Sequence, residues 1–178
     1  MNFILNNVTE KIKTLSEIKV KVSELKLKNK KVVFTNGCFD ILHFGHLSYL
    51  SRAKELGDFL IVALNSSASV SRLKGAHRPI NDDLTRNHMI ASLEFVDAVI
   101  IFDENTPIKL IKEINPDILV KGGDWSLNEI IGSEIVLDSG GQVKSLAFIE
   151  GYSTTSIESK ILEQGSKNNS QKNQNTKS

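Results

Sequence analysis

The stretch NGCFDILHFGHLSYL, Asn36 to Leu50, sets His43 and His46 three residues apart, between an apolar run and an amphipathic segment. Just before it, VVF (Val32 to Phe34) is β-branched and aromatic and suits a buried strand. After it, apolar residues recur at helical spacing from about Gly45 to Glu55. Strand, polar turn, helix is one unit of a parallel sheet, and the chain repeats it. Strands are expected at Phe59 to Leu64, Ala98 to Ile101, Asp117 to Val120 and Val143 to Ala147. Helices are expected at about Asp83 to Leu93, at Pro107 to Ile114 and at Thr154 to Leu162, with a short one near Leu127 to Ile131. In the Pro107 helix, Thr106 is read as the cap and Pro107 as the first helical residue. The alternation implies an α/β fold with a mainly parallel five-stranded sheet and helices on both faces.

Upstream, Val8, Ile12, Leu15, Ile18, Val22 and Leu25 recur every three or four residues, which predicts one amphipathic helix over Val8 to Leu27. Residues 1–29 are thus read as a helical extension packed on a domain of residues 30–163. Residues 164–178 carry no apolar side chain and read as a disordered tail. The 22 basic and 21 acidic side chains nearly cancel, which argues against nucleic acid or an anionic membrane as partner and makes any anion site local. Cys38 is the one cysteine, so an intramolecular disulfide and a multi-cysteine zinc cage are excluded and a reducing compartment is expected. The N-terminus lacks a basic segment followed by a long apolar one, and no stretch approaches the ~20 apolar residues of a membrane span, so the expected location is the cytoplasm.

In an open parallel sheet, ligands bind beyond the carboxyl ends of the strands. TNGCFDILHFGH, NSSASVSRLKGAHRP, KGGDW and EGYSTTS each follow an expected strand, so all reach that edge. Glycines there, among them Gly37, Gly45, Gly122, Gly123 and Gly151, allow close backbone approach, and Lys74, Arg78 and Lys121 supply positive charge. The pattern points to a nucleotide. The histidine pair admits three roles. Packing suits two imidazoles around a glycine poorly. Zinc could draw on His43, His46 and Cys38 or Asp40, but neither an HExxH arrangement nor paired cysteines are present. Phosphate fits best: a helix start offers free N–H groups and about +0.5 of a charge, and both imidazoles can donate to the same anion. Gly45 is read as clearing space for that approach.

NGCFDILHFGH also fits the GxFDxxHxGH signature of the cytidylyltransferase-like nucleotidyltransferases, and YSTTSI resembles their second signature, a Ser/Thr-rich turn opening the last helix. The resemblance runs from about Lys30 to Leu162. Within the family, TNGCFDILH, LIVALNSSASVSRLKGAHRPIN, TPIKLIKEINPDILVKGGDW and GYSTTSI look like the adenylyltransferases that make ADP-heptose from D-glycero-β-D-manno-heptose 1-phosphate. In many bacteria that activity is the C-terminal half of a protein beginning with a sugar kinase, so a separate kinase and a phosphatase are expected to serve a chain of this kind.

The resemblance implies a Rossmann-like, doubly wound fold, transfer of AMP from ATP to the sugar phosphate, Mg²⁺ bridging phosphates, release of pyrophosphate, small-molecule partners and a homodimer. It assigns catalysis to His43, His46 and Lys74. Thr35, Asn36, Gly37, Cys38, Phe39 and Gly45 would lie along the nucleotide, with Asp40 orienting the turn. Lys121, Gly123, Asp124 and Trp125 would border base and ribose, with Asp124 on the ribose. Ser153, Thr154 and Thr155 would hold the outer phosphates while capping the last helix. Asn65 and Arg78 would line the sugar-phosphate pocket, and Arg86 would bind phosphate or form a salt bridge. Ala76 and Phe148 stand where glycerol-3-phosphate cytidylyltransferases carry lysine and arginine, which tilts the nucleotide toward ATP; Leu84 replaces a common acidic residue. The rival readings are a cytidylyltransferase for glycerol 3-phosphate or another polyol or amino-alcohol phosphate, a noncatalytic nucleotide-binding module, and a zinc protein.

Overall fold

The computed structural model describes the backbone of residues 3–175 and side chains over residues 5–165. Five parallel strands, β1 (Val32–Gly37), β2 (Phe59–Asn65), β3 (Ala98–Phe102), β4 (Ile118–Gly122) and β5 (Gln142–Leu146), form one sheet in the order β3-β2-β1-β4-β5. The chain winds outward from β1 to one edge, returns, and winds from β4 to the other, so the topological switch lies between β1 and β4. Helices α1 (Phe3–Thr9), α2 (Leu15–Leu27), α3 (Phe44–Lys54), α4 (Ser67–Lys74), α5 (Asp83–Ala91), α6 (Ile108–Ile114), α7 (Ser133–Asp138) and α8 (Thr154–Asn175) complete it. This is the doubly wound, Rossmann-like fold that the sequence implies.

Alternation along the strands builds two cores. Val32 and Phe34 point to the face covered by α2, α6 and α7, where Ile18, Ile111 and Val136 are buried with them. Val33 points to the other, with Leu50 and Ala53 of α3 and Ile90 of α5. Each such side chain contributes about 1.5–3 kcal/mol. Because α3 follows β1 on one face and α7 follows β4 on the other, the segments leaving these strands part and open a crevice between them.

The N-terminal segment differs from the single expected helix. It breaks after Thr9; Ile12 bridges Val99, with Lys13 N–H to the Val99 carbonyl at 2.8 Å and Val99 N–H to that of Lys11 at 2.8 Å. This short run adds to the edge of β3. Thr14 and Glu17 then form a reciprocal capping box that starts α2, a T-x-x-E signal that outranks the apolar spacing running through it.

Helices α4 and α7 lie where only loops were expected. In α4 the Ser66 hydroxyl caps the Ser69 N–H at 3.0 Å, so the serine run is a helix start. Pro107 is the cap residue of α6 instead of its first helical residue, Thr106 has no capping role, and the Leu127 element is one 3-10 turn, Leu127–Glu129. The expected disordered tail is helical in its described part, α8 continuing to Asn175; residues 176–178 lie outside the described residues.

Candidate active site

Strand β1 runs three residues past the expected VVF and delivers Asn36 and Gly37 to the crevice. The backbone then turns at Phe39, whose φ of 44° is a left-handed conformation costing a side-chain-bearing residue about 1–2 kcal/mol. Neighbouring groups hold it there. Arg86 donates to the Cys38 carbonyl at 2.7 Å. The Asp40 carboxylate accepts from the Ile80 N–H at 2.9 Å and the Asn81 N–H at 2.8 Å, and Asn81 Nδ2 donates back to the Asp40 carbonyl at 2.6 Å. Arg78 stands 3.3 Å from Asp40 and also pairs with Glu158 of α8. One buried arginine thus joins the turn after β1 to the last helix.

His43 is the cap residue of α3, in extended backbone and with no capping bond from its side chain, and His46 lies in the first turn. Their rings stack with centroids 3.8 Å apart and planes 25° apart. Phe39 packs against His46 at 5.2 Å. Both Nδ1 atoms are buried without a hydrogen-bond partner. Burial lowers the pKa of His43; burial, then the charges of His43 and Lys74, lower that of His46 to about 4. His46 is therefore neutral near pH 7 and keeps one N–H to donate. A Cβ at Gly45 would lie 3.0 Å from His43 Nδ1 and 3.3 Å from Tyr152 Cβ. Gly45 thus makes room for the histidine stack.

Two connected hollows open at this edge. The smaller, about 160 Å³, is walled by Phe39, Asp40, His46, Arg78, Phe148 and Thr154. The larger, about 460 Å³, has Asn65, Leu73, Asn105, Trp125 and Glu129 in its wall. Both share Asn36, Gly37, Cys38, Lys74 and Lys121. The four segments picked out in the sequence do converge. A groove of about 540 Å³ lies at the other end of the sheet, between α2 and the starts of β2 and β3, but its wall of Ile18, Val20, Phe59 and the charged side chains of α2 holds none of the candidate residues. Chemistry therefore belongs to the histidine edge. Burial lowers the pKa of Lys121, Cys38 opposes that shift, and Lys74 adds to it. Neither Lys74 nor Lys121 has a salt-bridge partner among the described residues, so the shared wall is positively charged.

Several of the expected ligand residues have structural partners. Arg86 is fully buried and pairs with Asp83 at 2.5 Å, so of its two expected roles the salt bridge is the one formed. Thr35 is buried beneath the site, its hydroxyl 2.5 Å from that of Tyr49, which in turn donates to the Val120 carbonyl at 3.2 Å. Ser153 Oγ caps the Ser156 N–H at 3.0 Å; Thr154 faces the smaller hollow and Thr155 is exposed outside it. Gly123 and Asp124 line neither hollow, Gly123 taking a φ of 114° that lets the chain turn toward Trp125. Arg78 and Asn65 are in different hollows, not one pocket. The sequence reading missed Tyr49, Asn105 and Glu129. Tyr49 was findable, since it lies three residues after His46 and so shares its helix face.

The Cytidylyltransferase-like family model matches residues 34–160. The bifunctional protein HldE of a Nitratiruptor species is 55% identical over 148 residues, 83% of this chain and 31% of that protein. HldE of Campylobacter jejuni subsp. jejuni serotype O:2 is 53% identical over 152 residues, 85% of this chain and 32% of that one. The chain thus spans about a third of the length of the curated relatives it matches. Among solved structures, the lipopolysaccharide core biosynthesis protein of Thermoplasma volcanium GSS1 superposes with a TM-score of 0.56 at 34% identity, over 70% of this chain and 99% of that one. The pantoate-beta-alanine ligase of Francisella tularensis, with a TM-score of 0.55 at 15% identity over 83% of this chain and 75% of that one, shares the fold. With the histidine pair, the basic wall and the Ser/Thr turn gathered at the switch point, the chain belongs to the cytidylyltransferase-like family of nucleotidyltransferases.

Proposed function

We propose that the chain transfers AMP from ATP to D-glycero-β-D-manno-heptose 1-phosphate, yielding ADP-heptose and pyrophosphate. The observation that carries the transfer is the stacked His43–His46 pair, with His46 neutral near pH 7, beside Lys74 and Lys121, which form no salt bridge among the described residues. An oxygen of the acceptor phosphate attacks the α-phosphorus of ATP. The bond from that phosphorus to the oxygen bridging toward the β-phosphorus breaks, and pyrophosphate leaves with the electron pair. The acceptor oxygen is already ionised near neutral pH, so no general base is required. Negative charge grows on the oxygens around the α-phosphorus, where imidazole N–H groups and lysines stabilise it more than in the ground state. Thr154 at the start of α8 and Arg78 suit the outer phosphates.

The donors do not fit a resident metal. No group of three or more His, Cys, Asp or Glu side chains converges among the described residues, and Asp40, the carboxylate of the smaller hollow, is committed to Arg78, Ile80 and Asn81. Mg²⁺ enters this reading as part of the substrate, MgATP. Cys38 contributes its carbonyl to Arg86 and needs no covalent role.

Phe148 supports ATP over CTP. Its ring lies over Gly122, where a Cβ would come within 2.6 Å of it, and offers an apolar face for a base in place of an arginine charge. The heptose acceptor rests on the sequence resemblance and on the similarity to proteins named HldE. A homodimer and a cytoplasmic location accompany the reading on the same resemblance; no described helix is long and apolar enough to cross a membrane.

A pyrophosphate-release matrix tests it: ATP, CTP, GTP and UTP against heptose 1-phosphate, glycerol 3-phosphate and phosphoethanolamine. ATP with heptose 1-phosphate should give the highest kcat/KM. CTP with glycerol 3-phosphate in that place would establish the cytidylyl rival, and no release from any pair a noncatalytic module.

A further inference from the structure

In-line displacement at phosphorus puts the attacking and leaving oxygens on opposite sides of the transferred group. The two hollows meet that demand. Thr154 and Arg78, proposed above for the outer phosphates, line the smaller one, as do His46, proposed for the α-phosphorus, and Phe148 on the nucleoside side. The leaving pyrophosphate therefore occupies that side of the shared wall of Lys74 and Lys121. The attacking phosphate must approach from the other side, which is the larger hollow.

The wall of the larger hollow has its own chemistry. Asn65 spends its Nδ2 on Ser69 Oγ at 3.0 Å, leaving its carbonyl oxygen to accept. Asn105 spends its oxygen on Arg72 Nε at 3.0 Å, leaving its NH₂ to donate. Glu129 adds an anionic acceptor with no described side-chain partner. Trp125 is fixed by its indole N–H to the Gly122 carbonyl at 2.9 Å and remains 48% exposed, so its face is open. Leu73 and Ile131 supply apolar surface. A hydroxyl both donates and accepts, so a polyhydroxylated ring can use all three polar groups and rest its C–H face on the indole. A small ammonium would engage Glu129 and Trp125 alone and leave both carboxamides and much of the 460 Å³ unused.

We infer that the larger hollow is the acceptor-sugar site, with Glu129 and Asn105 as its specificity-determining residues and Trp125 as the plate beneath the sugar; this rests on the transferase reading above. It moves Trp125 from the nucleoside side, where the sequence resemblance put it, to the acceptor side.

Trp125 is the chain's one tryptophan, so its fluorescence reports this hollow without turnover. Heptose 1-phosphate is titrated into the full chain saturated with α,β-methylene-ATP. The indole emission should shift on sugar addition and stay unchanged with the nucleotide analogue alone. Glu129→Gln should weaken the sugar titration, and raise the KM for heptose 1-phosphate, by about tenfold or more, the loss expected for a hydrogen bond to a charged group, while the KM for ATP stays within about twofold. An emission response to the analogue alone, or a KM rise in Glu129→Gln confined to ATP, would overturn the assignment. Phosphoethanolamine shifting the emission more tightly than the sugar would overturn its sugar chemistry. A chain inactive with every pair in the pyrophosphate matrix refutes the transferase reading separately, because the emission titration is read without catalysis.

Discussion

Asp40→Asn separates a residue that shapes the site from one that performs chemistry in it. One carboxylate oxygen of Asp40 accepts from Ile80 and Asn81, and the other shares the Ile80 N–H and faces Arg78 at 3.3 Å. An asparagine can keep its oxygen on the two N–H groups, but its NH₂ then points at the Arg78 guanidinium, donor against donor. Breaking a buried ion pair costs about 3–5 kcal/mol when the remaining charge is stranded. Here Arg78 keeps Glu158, so the expected loss is about 2–3 kcal/mol. With a urea dependence of about 2 kcal/mol per molar, the unfolding midpoint should fall by about 1 M. The turn holding Phe39 loosens with it, and a displacement of about 1 Å at the reacting groups lowers kcat/KM by about 10²-fold. Urea unfolding followed by fluorescence, with pyrophosphate release on the same preparation, reads both. If activity disappears while the unfolding free energy stays within about 0.5 kcal/mol of the parent, Asp40 acts on substrate directly and the positioning argument fails.

Two further outcomes follow from the histidine pair. His46→Ala should lower turnover by about 10²–10³-fold with little change in thermal midpoint, since its buried Nδ1 makes no hydrogen bond to lose; near-parental turnover would remove the phosphate role. Folding should weaken in acid, because His46 binds its proton only near pH 4 when folded but near its ordinary 6.5 when unfolded. Between these values the unfolded chain holds more protons, so stability is full above about pH 6.5 and declines as pH falls toward 4. The full shift sets a ceiling of about 3 kcal/mol, reduced to about 1–2 by solvent reaching the ring. Chemical unfolding at pH 7 and pH 5 checks the sign; His46→Gln showing the same decline as the parent would assign it to other groups.

The sheet was legible because β1 to β4 open as runs of β-branched and apolar residues that become buried, and such runs admit few alternatives, whereas β5, an edge strand, buries only Val143 of QVKSL. The histidine edge was legible for a topological reason: every polar segment follows a strand of a parallel sheet, and parallel strands end on the same side. What stayed hidden depends on partners distant in sequence. Arg86 and the Cys38 carbonyl meet only once α5 packs beside the turn after β1, and nothing near Arg86 in sequence distinguishes a buried strut from a phosphate anchor. Thr35 belongs to a run of candidate nucleotide contacts, yet strand alternation turns it down toward Tyr49. Helix α4 was hidden by the opposite effect: serine-rich segments read as loops until a serine acts as a cap.

These hidden residues explain why the site can hold arrangements that folding alone disfavours. Phe39 has left-handed backbone, two imidazole nitrogens are buried without partners, and the pKa of Lys121 is lowered by burial, all within one short stretch of the sheet edge. Each is of the order of 1–3 kcal/mol, a substantial share of the stability of a domain this size. Arg86, Asp40, Thr35 and Gly45 fix the surroundings so that the turn and the rings have nowhere else to go. An arriving triphosphate would meet donors already desolvated and aimed, and its charge would relieve the burial of Lys121 and of the histidines. The cost of orienting the site is thus met when the chain folds, not at the moment of transfer, and that is the condition under which fixed dipoles and cations favour a transition state most.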